Sequence, residues 1–208
     1  MDEITLALAK GRTAEHAINF LEQAGYTFPD LLSNNRKLIF FDQEYTVKLI
    51  LVKADDVPTY VEKGAADIGI AGKDHILEAG ADIYEILDLK LGECQFVISG
   101  KPDTDLNSNN KVVIASKYPE VAKRHFKKQG IPAELIKLNG SVELAPLIGL
   151  SDVIVDIMET GATLRENGLV VLDQIEAIST RLIVNKASFT TKSKDIHTFI
   201  NNLKRVME

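Results

Sequence analysis

Val153-Ile154-Val155-Asp156-Ile157-Met158-Glu159-Thr160-Gly161-Ala162-Thr163 is an apolar run that reaches a carboxylate and passes into a turn with two threonines around a glycine. The run has the length and β-branched content of a short buried strand, which is expected to end at Asp156. In the turn that follows, backbone N–H groups and threonine hydroxyls can converge on one anion. Gly161 can take a positive φ and leave room for a ligand. Asp156 sits too close to such an anion to bind it without repulsion, and suits the hydroxyls of an attached sugar. Phosphate plus ribose is the chemistry this stretch implies. A plainer reading stands beside it, in which Thr160 or Thr163 merely caps a helix.

Working outward, the chain alternates strand and helix patterns. Ile4 to Ala9 is a strand, and Ala14, Ala17, Ile18 and Leu21 form a helical stripe that Gly25 closes. Leu38 to Phe41 and Tyr45 to Val52 are strands joined by a tight turn at Asp42-Gln43-Glu44. Asp55 and Asp56 before Pro58 start a helix that Gly64 ends, and Asp67 to Ala71 is a short buried strand. A second series begins near Cys94 to Ser99. After the polar loop Lys101 to Asn110 come a strand at Val112 to Ala115, a helix from Pro119 to Gly130 and a strand at Leu135 to Leu138. A helix over Val142 to Ile148, which Ser141 is placed to cap, leads into the strand at Val153. This βαβ order predicts a largely parallel sheet. Two series of similar size suggest two α/β lobes. In the tail, Ile196, Phe199, Ile200, Leu203 and Val206 follow i, i+3, i+4, i+7 spacing and should dock as a helix on the first lobe.

Composition excludes more than it selects. A net charge of -6 argues against general adhesion to nucleic acid or membrane. One cysteine, Cys94, allows no internal disulfide, and its apolar strand-like setting suits packing better than nucleophilic chemistry. The acidic start Met1-Asp2-Glu3 lacks a signal-peptide core, and no apolar run approaches the ~18 residues of a membrane span, so the cytoplasm is the expected compartment. His16, His75, His125 and His197 are scattered, without His-Glu-x-x-His or Cys-x-x-Cys spacing. Gly72-Lys73 is followed by Asp74, which excludes a P-loop.

Val153 to Leu164 resembles the signature of the ATP phosphoribosyltransferase family. Leu138 to Pro146, Ala9-Lys10-Gly11-Arg12, Asp67 to Gly72 and Ser116-Lys117-Tyr118-Pro119 fit the same family in the same order, so the resemblance covers nearly the whole chain. It implies a two-lobed α/β fold similar to type II periplasmic binding proteins, with mixed, largely parallel sheets and substrates in a central cleft. On that basis lobe I is expected to take residues 1–91 plus 173–208 and lobe II residues 92–172, with Ile175 to Val184 a long strand back in lobe I. The implied reaction condenses ATP with 5-phosphoribosyl 1-pyrophosphate to N1-(5-phosphoribosyl)-ATP and pyrophosphate, at the start of histidine biosynthesis.

Such a reaction needs alignment and charge stabilisation rather than a strong base, since adenine N1 is already nucleophilic and pyrophosphate a good leaving group. The resemblance assigns Thr160, Gly161, Ala162 and Thr163 to the 5′-phosphate, and Asp156 and Glu143 to the ribose hydroxyls. For Glu143 the alternative is a first-turn carboxylate facing the helix dipole. Lys10 and Arg12 are expected at the departing pyrophosphate as catalytic cations, and Arg36 and Lys53 at ATP. The family pattern leads one to expect arginine at Lys53; lysine keeps the charge without the planar fork, so a ligand and a non-ligand role both stay open there. Mg2+ is expected bound to the substrate, with no metal cage in the protein. The length resembles the family's short form, which works with a regulatory subunit similar to histidyl-tRNA synthetase. A homodimer within a hetero-oligomer follows, with histidine feedback requiring the partner. The rival is a small-ligand binding module of the same fold.

Overall fold

Every residue of the first strand, Ile4–Ala9, is buried, because it lies between two parallel neighbours with both of its faces covered. In this computed structural model the described residues are 3–10, 12–32, 36–106 and 111–208, and the side chains of residues 12, 13 and 32 are outside the description. The expectations for the Arg12 side chain, Gly11 and the end of the polar loop at residues 107–110 therefore lie outside it.

The elements in chain order are β1 (Ile4–Ala9), α1 (Arg12–Gln23), β2 (Ile39–Phe41), β3 (Val47–Val52), α2 (Val57–Glu62), β4 (Ile68–Gly72), α3 (Lys73–Ala79) and β5 (Tyr84–Asp88). They continue with β6 (Cys94–Gly100), β7 (Val112–Ser116), α4 (Pro119–Gln129), β8 (Ala133–Lys137), α5 (Leu144–Leu147), β9 (Val153–Met158) and α6 (Ala162–Glu166). Last come β10 (Val170–Ile178), β11 (Thr180–Val184), α7 (Lys186–Thr191) and α8 (Ser193–Met207). The chain divides into one unit of residues 1–92 with 179–208 and another of residues 93–178.

The first unit holds a sheet of order β2-β3-β1-β4-β11-β5. On one face Ile4, Leu6 and Leu8 meet Ala17 and Leu21 of α1 and Ile196, Phe199, Ile200 and Leu203 of α8, so the apolar stripe of the tail docks where its spacing predicts. On the other face Ala7, Ala9 and Ala71 meet Val57 and Val61 of α2. The small residues there let α2 come close: a Cβ on Gly69 would stand 2.7 Å from Val61 and 2.9 Å from Val57. Buried Asp67, just before β4, accepts hydrogen bonds from the Thr5 amide (2.8 Å), the Ser188 hydroxyl (2.7 Å) and the Lys192 ammonium (2.8 Å). It joins the start of the central β1–β4 pair to α7 and the residue that leads into α8, and so has a structural role.

The second unit holds a sheet of order β10-β6-β9-β7-β8, with β9 at its centre. Strands β7, β8 and β9 run parallel, while β6 and β10 pair antiparallel. In the first unit β3, β1 and β4 pair parallel, while the β2–β3, β4–β11 and β11–β5 pairings are antiparallel. The sheets are mixed, with the expected parallel character confined to those two strand triplets.

The largest departure from the sequence reading is at the return crossing. It falls at Ile178–Ser179, beyond the expected boundary at 172, and the stretch expected as one strand from Ile175 to Val184 is two, β10 in one sheet and β11 in the other. The register of β10 slips between Val171 and Asp173 and again between Gln174 and Glu176. Those bulges erase the period-2 alternation that would have marked the strand. Strand β5 has no counterpart among the expected elements. Its last residue, Asp88, sits beside both crossings, accepting from the Ser179 hydroxyl at 2.6 Å and the Lys90 amide at 3.0 Å.

Candidate active site

β9 presents Asp156, the candidate ribose ligand, by a change in burial. Val153, Ile154 and Val155 are fully buried, whereas Asp156 is half-buried. Pairing with β7 ends at Ser116↔Val155, one residue before Asp156, while on the other side β6 still pairs Val97 with Asp156. The carboxylate is thus carried on a fixed backbone at the point where the parallel neighbour stops. Its Oδ1 accepts from the Ile157 amide at 2.8 Å, which restricts the side-chain rotamer. The strand runs on to Met158 rather than ending at the carboxylate, because β6 pairs with Ile157 and Met158 as well.

Behind Met158 the chain turns through Glu159 and Thr160 into α6, whose N-cap is Gly161 at φ 71, ψ 12. Only glycine adopts this left-handed conformation without penalty, so the turn requires it. The room expected at Gly161 is, however, filled by the protein: a Cβ there would lie 3.1 Å from Met158 Sδ and 3.2 Å from Arg165 Nη1. α6 has no side-chain cap bond, so neither Thr160 nor Thr163 is its N-cap. The Thr160 hydroxyl accepts only a long 3.4 Å contact from the Ala162 amide. Both threonines and Ala162 are exposed. The Asn167 amide donates to the Thr163 carbonyl at 2.8 Å and closes the short helix from its far end.

Glu143 is brought to the same cluster of elements. It is the N-cap of α5, half-buried, with no side-chain cap bond of its own. Val142 and Ala145 on either side of it pack in one apolar cluster with Ile154 of β9, Leu164 of α6 and Met158. α5 is shorter than the expected Val142–Ile148 helix. Ser141 sits at φ 48, and Glu143 takes the capping position in its place.

In the first unit the structure pairs two cations that lie far apart in sequence. The Lys10 amide donates to the Val52 carbonyl at 3.0 Å, extending the β1–β3 register, so Lys10 and Lys53 stand at the carboxyl ends of adjacent parallel strands. Both are exposed. Arg36 is exposed ahead of β2, on the far side of β3 from Lys10. The backbone of Arg12 opens α1. At the end of β4, His75 lies 2.8 Å from Asp55 and 3.3 Å from buried Asp74, a tie between the 3-10 turn after Lys53 and α3. Lys73 is 3.5 Å from Glu85.

Sequence reasoning missed Arg165, which lies against the Thr160–Thr163 turn. A basic residue one helical turn beyond the glycine was the available signal, since positions i and i+4 face one another.

Among solved structures, the alkanesulfonate-binding protein SsuA from Xanthomonas axonopodis pv. citri is similar at 13% identity and TM-score 0.58, over 99% of this chain and 73% of that one. At that identity the likeness reports fold alone, and the class is that of the two-sheet periplasmic-binding-protein-like α/β chains. A closer likeness is to the "ATP phosphoribosyl transferase (HisG:HisZ) complex from Thermotoga maritima", 35% identical with TM-score 0.86 over 98% of both chains. The family model HisG, ATP phosphoribosyltransferase, matches residues 53–205. Curated ATP phosphoribosyltransferases of Oceanobacillus iheyensis and Clostridium novyi are 56% and 50% identical, over 100% of this chain and 100% and 99% of their own lengths. The chain belongs to the ATP phosphoribosyltransferase family. It is a pentosyltransferase of the first step of histidine biosynthesis, and the binding-module alternative is not favoured.

Proposed function

We propose that the Thr160-Gly161-Ala162-Thr163 turn holds the 5′-phosphate of phosphoribosyl pyrophosphate, while Asp156 and Glu143 hold its ribose hydroxyls. The observation that carries this reading is the left-handed Gly161 in the turn between β9 and α6, with an exposed threonine on either side of it. The lone pair on adenine N1 attacks ribose C1 as the C1–O bond to pyrophosphate breaks. Positive charge builds on the ribose ring and negative charge on the leaving group. A carboxylate beside the ribose stabilises the first, and Lys10 with Arg12 the second. Lys53 and Arg36 take the triphosphate of ATP; the adjacency of Lys10 and Lys53 suits a polyphosphate better than either residue alone. Mg2+ enters bound to the pyrophosphate as part of the substrate and neutralises the leaving charge.

The partner is a regulatory subunit similar to histidyl-tRNA synthetase, with this chain as a homodimer inside the hetero-oligomer. The likeness to the Thermotoga maritima HisG:HisZ complex, an assembly of two components, supports a partner subunit. Histidine feedback then belongs to the assembly. The cytoplasm is the compartment that supplies ATP, and among the described residues no helix is long and apolar enough to cross a membrane.

Pyrophosphate release tests the site. It should require both substrates, and Asp156→Asn should lower turnover by about 10- to 100-fold, the loss of one charge-assisted hydrogen bond to the substrate. Near-normal turnover in that variant would remove Asp156 from the ribose site.

A further inference from the structure

We infer that Arg165 is a further substrate-binding residue, whose guanidinium braces the phosphate turn and supplies its positive charge. Arg165 Nη1 donates to the Thr160 carbonyl at 3.0 Å and lies 3.2 Å from where a Cβ on Gly161 would stand. The cation is therefore within the turn itself. It reaches back from the helix because its own amide is bonded to the Gly161 carbonyl at 3.1 Å, which fixes the side chain's root one turn away.

Two features separate this arrangement from an ordinary surface arginine. Among the described residues no carboxylate pairs with Arg165, although Glu159 and Glu166 are close in sequence, so its charge is uncompensated where the anion is expected. Guanidinium also carries five N–H donors in a planar fork, and the Thr160 carbonyl occupies one nitrogen. The remaining donors are available to phosphate oxygens, with the bond to Thr160 holding the plane in place. Arg165 thus contributes charge that the neutral Thr-Gly-Ala-Thr turn lacks, and it makes the turn selective for a phosphorylated sugar over a bare one.

This inference rests on the assignment of Thr160–Thr163 to the 5′-phosphate. The test measures KM for phosphoribosyl pyrophosphate and for ATP, and inhibition by ribose 5-phosphate, in Arg165→Met, Arg165→Gln and Arg165→Lys, beside a Thr160→Val/Thr163→Val double variant. Circular dichroism verifies that each variant is folded. Arg165→Met and Arg165→Gln should each raise KM for phosphoribosyl pyrophosphate and weaken ribose 5-phosphate by about 10-fold or more, with KM for ATP unchanged. Glutamine can still donate to Thr160, so a matching loss in that variant isolates the charge. Arg165→Lys should recover most of the affinity. Equal defects in all three variants, spread over kcat and both KM values, would mean that Arg165 is only a brace and would overturn the inference. Normal KM in the Arg165 variants with a raised value in the threonine double variant would overturn it while leaving the turn assignment standing. If the double variant is normal too, the turn assignment falls and the inference with it.

Discussion

The Ser116 hydroxyl donates to the carbonyl of Val155 at 2.6 Å and accepts from the Tyr118 amide at 2.8 Å, both within a fully buried setting. One side chain thereby locks β7 to β9 at the last paired residue before Asp156, and also sets the turn into α4. Ser116→Ala removes the buried hydroxyl that bonds the Val155 carbonyl and the Tyr118 amide, and should destabilise the protein by about 1–3 kcal/mol in denaturant unfolding. It should also lower kcat, because the support of Asp156 is loosened. A variant as stable and as active as the parent would show that backbone pairing alone positions Asp156.

Gly161→Ala puts a side chain on a left-handed residue, at a cost of about 1–2 kcal/mol. The new Cβ meets the ends of two flexible side chains, Met158 and Arg165, which can move. Stability should therefore fall only modestly, while turnover with phosphoribosyl pyrophosphate falls much further because Arg165 is displaced. Kinetics that decline no more than stability does would argue that the turn does not touch substrate.

Lys53→Arg should be tolerated or should improve use of ATP, whereas Lys53→Ala should raise KM for ATP or lower turnover. The motive is structural as well as chemical, since Lys53 stands beside Lys10 at the ends of β3 and β1. Unchanged steady-state constants in the alanine variant would take Lys53 out of the site.

Asp88 gives a pH prediction. Burial pushes its carboxyl up, but hydrogen bonds from Ser179 and Lys90 and the charge of Arg181 outweigh that and bring it from 3.8 down to about 2. A depressed carboxylate stabilises the folded state above its unfolded value and loses that contribution as pH falls through the folded one. Thermal melts should show the parent losing stability between about pH 4 and pH 2, and Asp88→Asn should flatten that part of the profile. Identical acid limbs for the two proteins would assign the loss to other carboxylates.

Much of this architecture was legible from local pattern. β1, β4 and the first half of β9 are buried apolar runs, and α2 and α4, with Pro58 and Pro119 in their first turns and Gly64 and Gly130 just past their ends, carry their own punctuation. The α8 stripe named its face. What escaped depends on partners distant in sequence. β10 hides behind two bulges, and Ser179, which separates it from β11, looks like any strand residue until Asp88 is seen beside it. Likewise the turn at Thr160–Thr163 is legible from its glycine and hydroxyls, but Arg165 acts through a fold-back that only α6 creates. Asp67 reads in sequence as part of a motif, and its hydrogen bonds to Thr5, Ser188 and Lys192 show it tying β1 to α7 and the start of α8.

The central claim is tested most directly by identifying the nucleotide that the chain, assembled with the regulatory subunit proposed for it, makes from ATP and phosphoribosyl pyrophosphate. Mass spectrometry of the reaction should show one new species, ATP carrying an added phosphoribosyl group, formed together with an equal amount of pyrophosphate and only when both substrates are present. Asp156→Asn should lose most of that product while remaining folded. ATP consumed without phosphoribosyl transfer, or full product formation by Asp156→Asn, would contradict the account.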